Sequence, residues 1–198
     1  MDELLVKDIK VDYVILGKPT AEQYTIMKTA MDAIRTVINN PKLREYILNH
    51  SYPSNGRTIS GFAQTTKSNK EILRRFLDGD ERNGGNPDNM WSFIINFYYK
   101  GGSRVIGYTN TGSKQINLNT KFMGRKPHEI VNTLVHEMTH LLGMEHSYKR
   151  SSQWKYTAPY VIGGMCEDLA AELLGVQIPA VNFEPRTSLW RRFLNIFR

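Results

Sequence analysis

The chain is short of several things. One cysteine, Cys166, stands among 198 residues, which excludes an intrachain disulfide and any cysteine-rich zinc module. No apolar run approaches the roughly 18 residues a spanning helix needs. The first ten residues, MDELLVKDIK, are charged and lack the apolar core of a secretory leader, so none is expected in the sequence as written. There is no internal repeat and no low-complexity tract. Histidine is also scarce, at five residues.

What is present suits one folded domain. Apolar residues make up 40% of the chain, enough for a core, and the length fits a single unit. The net charge is +7, with a pI near 9.5. That balance favours acidic partners, but the lysines and arginines are scattered, which reads as a solvated basic surface rather than a specific nucleic-acid face.

VDYVIL (11–16) alternates and is β-rich, so it reads as a strand. Tyr24, Met27, Met31, Ile34 and Ile38 recur at helical spacing and predict an amphipathic helix ending near Asn39-Asn40-Pro41. A short helix over 42–49 follows. Ser68, with Glu71 at the capping-box position, predicts a third helix through Ile72, Leu73, Phe76 and Leu77. The polar loop 78–89 holds four acids, but their spacing fits no EF-hand calcium loop.

SFIINFYY (92–99), RVIGYT (104–109) and QINLNTKF (115–122) read as three strands. Their short connections predict antiparallel pairing throughout. Pro127 and Glu129 then open a helix whose apolar residues run from Ile130 to Leu142 on more than one side. An irregular stretch (147–163), a helix over about 165–174 and a basic tail complete the chain. The tail, TSLWRRFLNIFR (187–198), puts Leu189, Trp190, Phe193, Ile196 and Phe197 on one side of a possible helix. It either docks on the domain or lies on an anionic surface.

Three of the five histidines fall within VHEMTHLLGMEHS (135–147). His136 and His140 are four residues apart, so they share a helix face and their ring nitrogens can converge on one ion. Zinc takes imidazole nitrogen at about 2.0–2.1 Å, which such a pair permits without strain. Glu137 points about 100° away and is better placed as a general base toward a metal-held water than as a ligand. Gly143 can end the helix with positive φ, and the turn can carry His146 back as third ligand. Three imidazoles and a water make an open, catalytic shell. Glu167 and Asp168, on the helix downstream, are the rival third ligands. His128 reads as a cap or surface residue and His50 as a loop residue. Cys166 reads as a buried core thiol rather than a nucleophile. Tyr156 and Tyr160 can each donate to an oxyanion, and Tyr160 is the preferred candidate.

His136, Glu137, His140, Gly143 and His146 match HExxHxxGxxH, and here the chain resembles the metzincin zinc peptidases. Ser147 is similar to the matrixin branch. The resemblance implies an α+β zincin-like domain, with a small mixed or antiparallel twisted sheet and an active-site helix. The one domain (1–198) would divide into an N-terminal subdomain (1–143) and a smaller C-terminal one (144–198). It implies a Zn2+ endopeptidase with Glu137 as base and RVIGYTNTG as the strand along the cleft. Met165, in a Gly163-Gly164 turn opening a helix, would be the methionine beneath the ion. A protein or peptide substrate, a monomer, and a secreted or cell-envelope setting follow from the same resemblance. The alternatives are a metal-bearing binding or toxin domain without proteolysis, or a hydrolase of a non-protein amide or acidic polymer.

Overall fold

A computed structural model describes residues 7–50, 52, 68–81, 87–110, 112–146 and 154–177. The expected tail helix, 187–198, lies outside them, as does most of the stretch between the second and third helices. The described elements are β1 (Lys10–Leu16), α1 (Ala21–Val37), α2 (Pro41–Asn49), α3 (Asn69–Asp78), β2 (Met90–Tyr98), β3 (Gly107–Asn110), β4 (Gln115–Asn119), α4 (Pro127–Leu141) and α5 (Ala158–Leu173). The fold is mixed α+β.

Local chemistry explains the helix starts. The Thr20 hydroxyl accepts from the Gln23 N–H at 3.2 Å, and the Gln23 side chain accepts from the Thr20 N–H at 3.0 Å, closing a capping box on α1. Asn40 caps α2 ahead of Pro41. Ser68 caps α3 as expected, but Glu71 turns away to pair with Arg74 and Arg75. On α4 the Glu129 carboxylate accepts from the Lys126 N–H at 2.9 Å. The buried stripe of α1 begins at Met27, since Tyr24 is 48% exposed.

The sheet order is β1-β2-β4-β3, with β1, β2 and β4 parallel and β3 antiparallel to β4. The expected meander is therefore corrected: β2 does not pair with β3. The reason is Asn119, buried at the end of β4. Its side chain accepts from the Lys100 N–H at 3.2 Å and donates to the carbonyls of Lys100 at 3.1 Å and Val105 at 3.3 Å. These bonds hold the chain after β2 across the end of β4, so β3 enters on the far side. Lys114, at φ +56°, then closes the tight β3–β4 turn. β2 is left with a partner on both sides, which suits its apolar run.

One face of the sheet buries Trp91, Phe93, Ile95, Ile116 and Leu118 with the helices. The indole N–H of Trp91 donates to the Phe76 carbonyl at 3.0 Å, so burial leaves no orphan donor. α4 touches β3 and β4 on one side and α1 and α5 on others. Ile130, Val131, Leu134, Val135, Met138 and Leu141 are fully buried, as its all-round apolar pattern predicts.

α5 departs from expectation. It starts at Ala158, not near 165, with Pro159 in its first turn, and it runs through Gly163-Gly164 without a break. The glycine pair makes no turn, so Met165 lies within a helix, buried, rather than in a methionine turn. Helical glycine costs roughly 1 kcal/mol relative to alanine. Close packing on α4 explains its use at Gly163, where a Cβ would meet Asn132 Oδ1 at 2.9 Å.

Candidate metal centre

α4 supplies two of the three histidines on one face. The rings of His136 and His140 lie 5.1 Å apart, steeply inclined at 78°. The helix then ends as the motif requires. Gly143 takes φ +87°, its N–H donates to the His140 carbonyl at 3.0 Å, and the Met144 N–H donates to the Thr139 carbonyl at 2.9 Å. This left-handed exit returns the chain over its own last turn. His146 arrives with its ring 5.0 Å from that of His136 and 4.7 Å from that of His140. One potential ligand atom from each histidine lies within 4.8 Å of the other two.

The ring nitrogens are sorted by their partners. His140 Nδ1 lies 2.7 Å from the Met144 carbonyl, which can only accept, so Nδ1 carries the proton and Nε2 keeps its lone pair. His146 Nδ1 bonds the Thr157 hydroxyl at 2.7 Å, while its Nε2 lies 3.2 Å from His136 Nε2. Tetrahedral zinc with bonds of about 2.05 Å would separate two nitrogens by about 3.3 Å. Burial, and then the other two histidines, hold His136 well below the ordinary histidine range. Burial, and then His140, push His146 down to about 3. Burial thus disfavours charge on His136 and His146, which suits a shared cation, and the three-imidazole donor set fits a divalent metal ion.

Glu137 is buried at 7% exposure, and burial raises its carboxyl above the ordinary range. The Thr109 hydroxyl, on β3, stands 2.6 Å from its Oε2 and 3.0 Å from its backbone carbonyl. Tyr160 lies at the same centre, edge-on to His136 with ring centres 4.4 Å apart and stacked on His146 at 4.7 Å. Tyr156 instead lies under Lys155, 4.8 Å from ring centre to Nζ.

The rival ligands are not in the cluster. Glu167 Oε2 accepts from Asn132 Nδ2 at 2.5 Å, one turn before His136, and burial pushes its carboxyl up to about 7. Among the described residues the only group of candidate metal ligands is the three histidines. His128 is buried in the first turn of α4, not on the surface. His50 caps the C-terminus of α2, its ring between Tyr46 and Tyr52. Cys166 is fully buried, and burial raises its thiol far above the ordinary value, which suits the core reading. The four acids of the 78–89 loop have protein partners: Asp78 pairs with Lys7 and Arg74, Asp80 with Arg75, Glu81 with the Ser92 N–H, and Asp88 with the Met90 N–H.

Sequence reasoning missed Thr109, Thr157 and Asn132, and read Gly163 as part of a turn. Thr109 lies in the strand singled out for the cleft, but neither threonine belongs to a motif. Compared with known proteins, the chain matches no family model, and no curated protein or solved structure shows significant similarity to it.

Proposed function

We propose that the chain is a zinc-dependent endopeptidase of the metzincin type. The observation carrying this reading is the convergence of His136, His140 and His146 beside a buried Glu137 that a neighbouring strand holds by its side chain. The Nε2 atoms of His140 and His146, whose Nδ1 atoms are engaged, would hold the ion together with a ring nitrogen of His136. Bound there, zinc supplies a Lewis acid and lowers the pKa of water toward about 7. Glu137 takes the proton of the attacking water and delivers it to the leaving amine. Tyr160, packed on two of the histidines, is the candidate donor to the developing oxyanion. β3 is an edge strand among the described residues, and its open side suits an extended peptide added as a further strand. The helix through Gly163-Gly164 is this chain's departure from the family pattern.

The test joins metal analysis to cleavage of an unbiased peptide library. The wild-type chain should hold one zinc and cut peptides, a chelator should stop it, and Glu137→Ala should keep the metal while losing cleavage. Cleavage that survives Glu137→Ala would sink the mechanism. A zinc-loaded wild type that cuts no peptide would favour a binding module.

A further inference from the structure

We propose that Thr109 is a positioning residue that ties the open edge of the sheet to the base. The inference rests on the peptidase reading, because it assigns Glu137 its proton-handling role. Thr109 reaches the site with its side chain: the hydroxyl donates to Glu137 Oε2 at 2.6 Å, from a half-buried position on β3. A carboxylate only accepts, so this bond engages one acceptor site of Oε2, and Oε1 would be the oxygen left for the reacting water. The Glu137 backbone carbonyl, 3.0 Å away, is a second acceptor for the same hydroxyl. The threonine therefore touches both the main chain and the side chain of one residue, which restricts the rotamers open to the carboxylate.

The main chain of Thr109 contributes as well, since its backbone also bonds the Glu137 carboxyl. The Asn119 N–H donates to the Ile106 carbonyl at 2.9 Å, which makes that pair a hydrogen-bonded one. In an antiparallel ladder such pairs alternate with non-bonded ones. Tyr108 opposite Asn117 is then bonded, whereas Gly107 opposite Leu118 and Thr109 opposite Ile116 are not. The peptide groups of Gly107 and Thr109 consequently point away from β4, toward the edge where no described strand pairs. A peptide laid along β3 would therefore run beside the residue that holds the base.

Thr109→Val removes the hydroxyl at nearly constant shape, and Thr109→Ser restores it. Five quantities are read on the full zinc-loaded chain: kcat and KM on a cleaved peptide, zinc affinity by chelator competition, the unfolding midpoint, and the affinity for acetohydroxamate. The last is a small zinc chelator whose O–H needs a carboxylate acceptor beside the ion. Thr109→Val should lower kcat by about 10- to 100-fold, as loss of catalytic alignment does, with KM and zinc affinity near wild type. Thr109→Ser should recover most of kcat. Wild-type kcat in Thr109→Val, a loss that merely follows zinc affinity or stability, or no recovery in Thr109→Ser would each overturn the assignment. If the wild type cuts no peptide, the peptidase reading fails separately, and acetohydroxamate decides on Thr109. Weaker binding by Thr109→Val alone supports its hold on Glu137, while equal binding by all three proteins, or none by the wild type, overturns it.

Discussion

Gly163 and Asn132 meet where α5 crosses α4. A Cβ on Gly163 would stand 2.9 Å from Asn132 Oδ1, 3.0 Å from its carbonyl oxygen and 3.3 Å from His136 Cβ. The side-chain amide can shift, but the carbonyl belongs to the helix that carries His136 and His140. Gly163→Ala should therefore lose about 1–3 kcal/mol to overpacking, more than the gain of up to about 1 kcal/mol from helix propensity. Gly164 faces open space, with nothing within 4 Å of its Cβ position, so Gly164→Ala should be neutral or stabilising. Urea midpoints of the two variants check the contrast, and equal midpoints would contradict the close approach.

His146, the candidate third ligand, is held from behind by Thr157, which is 1% exposed and bonds its Nδ1. Removing such an outer partner typically weakens metal binding by about 10- to 100-fold. Thr157→Val should fall in that range by chelator competition, and His146→Ala should lose considerably more. Glu167→Ala should leave zinc affinity near wild type, because its carboxylate is engaged by Asn132. Tight zinc binding by His146→Ala, with loss in Glu167→Ala, would reassign the ligand.

Glu167 also gives the metal-free protein a pH signature. Burial is the first cause of its rise, from 4.5 in the unfolded reference to about 7 in the fold. Below pH 4.5 both states are protonated and the stability linked to this group is fully present. As pH rises toward 7 the unfolded chain ionises first, so that stability is lost across the interval. At 1.36 kcal/mol per unit the loss is at most about 3 kcal/mol. Glu167→Gln should flatten this slope between pH 4.5 and 7 in denaturant titrations of the chelator-treated protein. An unchanged slope would place the titration elsewhere.

The parts legible in the sequence were those governed by short-range rules. The cap at Ser68, the buried periodicity of α4, and the His136–His140–Gly143–His146 spacing each depend on residues a few positions apart. The β2–β3 pairing was misread because the deciding residue, Asn119, acts across about 20 positions through its amide. Met165 was misplaced for a related reason. Two adjacent glycines signal a turn locally, but Gly163 is there for contact with another helix. Thr109 and Thr157 were invisible as site residues, since a hydroxyl 28 or 11 positions from its partner leaves no pattern.

The compactness of the centre along the chain bears on how it is made. Thr109, Glu137 and the three histidines lie in one continuous stretch, whereas β1 reaches β2 only after α1, α2 and α3. Contacts of short sequence separation form early, and parallel pairing across a long crossover forms late. The imidazole cluster is then expected to assemble before β1 docks, so zinc would act on a folding intermediate as well as on the finished protein. Zinc should quicken refolding rather than merely slow unfolding, and a refolding rate indifferent to the ion would count against that order of events.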